Sequence, residues 1–129
     1  MANERITEDI VRRHFNSYSD KCTIEEQKSS NPKIDKLLKY ASKKGSEKGY
    51  PEFIISFKNN PDFIIVVECK ADIAKHQSST LDNYDEYAVD GALLYASFLS
   101  KEYDVLAIGV SGQNKKELKV SHQIGRAHV

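Results

Sequence analysis

The chain has 129 residues, 40% of them hydrophobic and 29% charged, a composition that suits one globular domain with a single core. Nineteen Lys and Arg balance nineteen Asp and Glu, which excludes a uniformly basic nucleic-acid coat but not a local basic patch. The balance conceals a segregation: residues 1–50 carry eleven basic and eight acidic side chains, residues 51–110 four and ten, and residues 111–129 four and one.

The opening MANERITEDI lacks the apolar stretch of a signal peptide, and no run approaches membrane-spanning length, so a cytoplasmic protein without a membrane partner is expected. Ile6, Ile10, Val11, His14, Phe15 and Tyr18 recur at helical spacing and predict an amphipathic helix over 4–18, with Glu4 and Glu8 at the edge of its apolar arc. Cys22 and Cys69 form no CxxC and no Cys/His cluster, so neither a disulfide framework nor a zinc site is indicated. Thr23 to Lys28 alternates weakly, as a short strand does.

Asn31 followed by Pro32 is a helix start, and Gly45 a stop. Between them Ile34, Leu37, Leu38 and Ala41 make one face of a predicted basic amphipathic helix. Lys33, Lys36, Lys39, Lys43 and Lys44 project from the other, a face suited either to a DNA backbone or simply to water.

Glu52 to Phe57 and Asp62 to Lys70 are rich in Ile, Val and Phe, and the intervening KNNP has turn composition, so the two segments predict a hairpin. FIIVV is apolar at every position, the pattern of a strand covered on both faces. Thr80 or Asp82 is placed to cap a long helix through Tyr84, Tyr87, Ala88, Gly91, Ala92, Tyr95, Phe98 and Leu99, with the tyrosines read as core. Asp104 to Val110 is another buried-type strand. Residues 113–129 read as a polar tail without pattern, with the final GRAHV expected to be loosely ordered and the sequence leaving open whether the chain is a fragment of a longer protein. The order helix, strand, helix, two strands, helix, strand implies an α/β layered domain over residues 1–112.

A turn centred near Asn60 sets Glu52 opposite Glu68, and strand alternation puts Glu68 and Lys70 on one face while Cys69 points into the core. Two carboxylates and an ammonium are thereby expected beside buried strands. An ionised glutamate there is costly unless paired or bound to a cation, and oxygen ligands on one rigid edge suit Mg²⁺. The bland alternative is a cross-strand ion pair in a structural sheet. His14, His76, His122 and His128 are scattered singly and receive no role.

Pro51-Glu52, fifteen residues, then Glu68-Cys69-Lys70 resembles the PD-(D/E)xK nuclease superfamily. The wording GYPEFI…IIVVECK is most similar to the N-terminal nuclease domain of type I restriction endonuclease subunits and of related restriction-modification proteins with an N-6 DNA methylase part. The resemblance implies a restriction-endonuclease-like three-layer fold, a central mixed sheet flanked by helices in the order α-β-α-β-β-α-β. It further implies a DNA endonuclease that uses Mg²⁺, or Mn²⁺ in its place, together with methylase, specificity or motor modules as partners. By the same resemblance Glu52 and Glu68 hold the cation, the carbonyl of Cys69 completes its site, Lys70 assists the attacking water, and Glu8 matches an additional acidic position. In this chain Glu52 stands where Asp is more usual. The QxxxY pattern expected on the following helix is not met by Gln77, which Leu81 follows four residues later, whereas Asn83 and Tyr87 have the spacing with Asn in place of Gln. The alternative reading is a nuclease-fold DNA-binding or assembly domain without cleavage.

Overall fold

A computed structural model of the chain describes residues 3–45 and 48–125. The elements run α1 (Glu4–Asn16), β1 (Cys22–Glu26), α2 (Pro32–Leu37), β2 (Phe53–Phe57), β3 (Asn60–Lys70), a 3-10 turn (Ile73–Lys75), α3 (Ala88–Leu99), β4 (Asp104–Ser111) and β5 (Lys119–Gly125). The strands form one mixed sheet in the order β1-β2-β3-β4-β5. β3 and β4 are parallel, joined through α3, and the other neighbours are antiparallel. The fold is thus α/β, a mixed sheet with helices, and it is compatible with a restriction-endonuclease-like architecture. Among the described residues no helix is long and apolar enough to cross a membrane.

Alternation along β3 divides the core. Ile64 and Val66 pack with Ile34, Leu38, Ile54, Tyr95, Leu99 and Val105 on the side of α2 and α3. Ile65, Val67 and Cys69 pack with Val11, Phe53, Ile55 and Val110 on the side of α1. Both faces of β3 are therefore covered, which is why FIIVV can be apolar throughout. Each fully buried aliphatic side chain in these layers contributes about 1.5–3 kcal/mol of transfer free energy, and the central strand pair is the stable frame on which the sheet's end is built.

Three elements depart from the sequence reading. The basic helix expected to reach Gly45 ends at Leu37, with Leu38 as its cap, and the chain then turns so that Lys43 enters the interior instead of joining Lys33 and Lys36 on a solvent face. The long helix expected from residue 80 or 82 begins at Ala88. The buried Asp90 carboxylate accepts from the Ser78 amide at 3.1 Å, the Asn83 amide at 2.9 Å and the Ser78 hydroxyl. These bonds hold residues 78–83 in a loop, so Asn83 lies in that loop and Tyr87 is the N-cap of α3; the Tyr87 amide donates to the Asn83 carbonyl at 3.3 Å, but both residues precede the helix. The segment beyond residue 112, expected to be a patternless tail, supplies β5 against β4, from Ser111↔Lys119 to Val105↔Gly125. Residues 126–129, most of the expected loose end, lie outside the described residues.

Helix α1 forms as expected but presents a different stripe. Ile6 and Tyr18 are exposed, whereas Thr7 and Val11 are buried, with Glu4 and Glu8 half-buried beside them. The Thr7 hydroxyl donates to the Gly112 carbonyl at 2.6 Å, and the Gly112 amide donates to the Lys70 carbonyl at 3.1 Å. The first turns of α1 are thereby fixed to the ends of β3 and β4.

A candidate acidic site at the sheet end

The hairpin turns at Lys58–Asn59 and β3 begins at Asn60, earlier than the KNNP turn expected from the sequence; a register shift between Ser56 and Phe57 then places Phe53 opposite Val67, and its continuation brings Glu52 beside Glu68. Contact between them runs through the main chain: the Glu52 amide donates to Glu68 Oε2 at 2.6 Å. Glu68 is only 2% exposed. Its Oε1 meets the Lys43 ammonium as an ion pair. A Cβ on Gly91 would stand 3.2 Å from that oxygen and 3.3 Å from Lys43 Cε, so the missing side chain in α3 is what leaves room for the pair. Burial pushes the Glu68 carboxyl above the ordinary range, and Lys43 pulls against it. Burial disfavours the Lys43 ammonium, yet Glu68, with Glu52 and Glu4 behind it, holds its pKa above the usual lysine value.

Lys70, two residues beyond Glu68 on the same strand, donates to the Asp85 carbonyl at 2.9 Å. Asp85 belongs to the segment between the Asp90-anchored loop and α3, so that segment sets where the ammonium rests. Cys69 points to the α1 side, 1% exposed, and burial pushes its thiol far up. Its side chain is core, as the alternation required.

Among the described residues, the carboxylates that gather include Glu8 and Glu52, which the resemblance implied, together with Glu4, which it did not. Glu4, Glu8 and Glu52 each offer an oxygen within 4.8 Å of the others. Glu4 and Glu8 lie one helical turn apart on α1, the spacing that puts both on one face. Burial, then the charges of Glu52 and Glu4, push Glu8 up to about 7. Glu4 is also raised, by burial first. Lys70 offsets part of that rise, and Glu52 adds to it by charge and a shared hydrogen bond. The Gln27 side-chain amide donates to Glu52 Oε2 at 3.0 Å. Neither Glu4 nor Gln27 was picked out by motif. The i, i+4 pair of glutamates was visible in the sequence, but a surface helix presents the same pattern to water.

The donor set fits a hard divalent cation: oxygen ligands only, crowded closely enough that like charges already raise two of them. Of the lysines expected on a DNA-facing helix, Lys43 is committed to Glu68. Lys33 lies 4.7 Å over the Tyr103 ring and 4.0 Å from Glu102, while Lys36 and Lys44 are exposed.

Acids from α1 and from the β2–β3 hairpin thus meet at one end of the sheet of an α/β domain. The chain is 35% identical, over 127 aligned residues, to the type II restriction enzyme and methyltransferase RM.BcgI of Heyndrickxia coagulans. The match covers 87% of this chain and 19% of that protein, so the chain spans about a fifth of the relative's length. The chain is thus related to a restriction-modification enzyme. No family model matches the chain, and no solved structure does.

Proposed function

We propose that this chain is a divalent-cation-dependent DNA endonuclease domain of the PD-(D/E)xK type, working as the cleavage module of a restriction-modification system. The observation that carries the reading is the meeting of Glu4, Glu8 and Glu52 within 4.8 Å beside the hairpin that bears Glu68 and Lys70. The relationship to a restriction enzyme and methyltransferase supports it. In this reading DNA is the substrate, and methylase, specificity or motor modules are the partners.

Glu52, with Glu4 and Glu8, would hold Mg²⁺ or Mn²⁺, Glu68 would complete the acidic wall, and the Cys69 carbonyl would add a neutral ligand. A cation held there offsets the charge of the phosphodiester and makes water more acidic. Lys70, held through Asp85, places positive charge where negative charge develops during attack, and orients the water that replaces the leaving oxygen on phosphorus. The exposed Lys36 and Lys44 are available to phosphates of the same duplex.

The test is nicking of supercoiled plasmid with and without Mg²⁺ or Mn²⁺, alongside Glu52→Ala, Glu68→Ala and Lys70→Ala, with calorimetric Mn²⁺ binding in parallel. The expected result is cation-dependent nicking and Mn²⁺ binding that Glu52→Ala abolishes. Nicking that survives all three substitutions, or no Mn²⁺ binding by the wild type, refutes the assignment. The ion pair between Lys43 and Glu68 favours a second reading, an assembly or DNA-binding module whose acids are satisfied internally. The Mn²⁺ measurement separates the two.

A further inference from the structure

Gln27 is an exposed residue just past β1, and its backbone φ is +53°, in the left-handed region that a residue other than Gly, Asn or Asp seldom adopts. Both ends of this one residue are bonded to Glu52. Its main-chain amide donates to the Glu52 carbonyl at 3.2 Å, and its side-chain amide donates to Glu52 Oε2 at 3.0 Å. The residue before it is held as firmly. Arg12 of α1 grips Glu26 with two nitrogens, Nε to Oε2 at 2.8 Å and Nη2 to Oε1 at 2.6 Å. A continuous path therefore joins α1, which carries Glu4 and Glu8, to Glu52 through Arg12, Glu26 and Gln27.

Once ionised, as cation binding requires, three carboxylates at this separation repel one another. Something must hold Glu52 toward α1. A strained backbone that persists beside such a cluster marks a position fixed by its surroundings. We propose that Gln27 is a positioning residue for Glu52, donating to one carboxylate oxygen so that the group faces Glu4 and Glu8 in the arrangement a divalent cation requires. The inference rests on the reading of Glu52 as a cation ligand. Gln27 itself touches neither cation nor phosphate; a neutral amide suits this task because it donates to the carboxylate without adding a charge that would compete with the metal.

The decisive variant is Gln27→Gly, because glycine adopts a positive φ without strain while the side-chain donor is lost. Mn²⁺ titration by calorimetry and thermal melting without metal are measured on the wild type, Gln27→Gly, Gln27→Ala and Glu52→Ala. The expected result is a melting temperature for Gln27→Gly equal to or above that of the wild type, with Mn²⁺ affinity about tenfold weaker. Gln27→Ala, which keeps the strain and loses the donor, melts lower and binds as weakly as the glycine variant. Wild-type Mn²⁺ affinity in Gln27→Gly overturns the positioning role and leaves the cation site standing, provided Glu52→Ala still abolishes binding. A wild type that binds no Mn²⁺ overturns both.

Discussion

Replacing Glu8 by Gln tests the electrostatics of the acidic end most directly. The Glu8 carboxyl is pushed from its ordinary 4.5 up to about 7, by burial first and then by Glu52 and Glu4. A raised folded-state pKa means that the folded protein holds a proton more tightly than the unfolded chain. The associated stability is present below 4.5 and is lost as pH rises through about 7. Without solvent screening this difference corresponds to about 3.4 kcal/mol at 1.36 kcal/mol per pH unit. Glu8 keeps solvent contact, and screening reduces the figure to about 1 kcal/mol. Glu8→Gln, uncharged at every pH, is therefore expected to stabilise the metal-free protein at pH 8 by about 1 kcal/mol, roughly 3–5 °C in melting temperature. At pH 5 the advantage falls to about a quarter of that. Saturating Mn²⁺ reverses the order, because a cation bound at a hundred times its Kd stabilises the wild type by about 2.7 kcal/mol and the variant by less. Thermal melts at the two pH values, with and without Mn²⁺, read all four conditions. A Glu8→Gln protein that melts lower than the wild type at pH 8 without metal refutes the burial and repulsion that raise the Glu8 carboxyl.

Two further predictions concern the frame that carries the site. His76 is buried between Ser111 and Ser121, 2.8 Å from each hydroxyl, and burial, with Lys119 adding to it, holds its pKa below 6.5. Its contribution is therefore intact above about 6.5 and lost as pH falls below that; denaturant titrations from pH 7.5 to 5.5 should show a loss that His76→Gln flattens, and identical slopes would contradict it. Gly109 of β4 faces α3 so closely that a Cβ would lie 2.7 Å from the Val89 amide nitrogen, which cannot yield without moving the helix. Gly109→Ala should cost about 3 kcal/mol in chemical denaturation, and a cost under about 0.5 kcal/mol would show that the helix start is not held there.

The frame was legible wherever burial wrote itself into a short stretch of sequence. FIIVV announced a strand covered on both faces, but the turn falls at Lys58–Asn59, and it is a register shift between Ser56 and Phe57, invisible in the sequence, that sets Glu52 beside Glu68. What escaped was decided by single polar side chains acting over long sequence separations. Residues 38–45 have helical spacing, but the helix ends at Leu37 and Lys43 pairs with the buried Glu68, a partner that helical spacing alone does not reveal. Residues 80–87 have it too, but Asp90 has three donors within reach only if Ser78 and Asn83 stay in a loop. β5 escaped for the opposite reason: as an edge strand it exposes Val120 and Ile124, so its composition carries little of a buried strand's signal.

The same distinction explains why Glu52 and Glu68 were legible from the residues themselves, Glu8 only through the family resemblance and Glu4 not at all. A carboxylate that ends a buried strand is anomalous on sight, because its environment is apolar and its charge demands a partner. Glu4 and Glu8 are anomalous only once α1 has been laid across the sheet end with Thr7 against Gly112, since the same glutamates on a free helix are fully hydrated. With the helix in place, four carboxylates, Glu4, Glu8, Glu52 and Glu68, share one end of the fold with two ammoniums, Lys43 and Lys70. When all are ionised, two negative charges remain, the complement of one divalent ion. Near neutral pH a proton on Glu8 supplies part of that charge. A cation must displace this proton to bind, so its affinity for the site should rise with pH across the range in which Glu8 titrates.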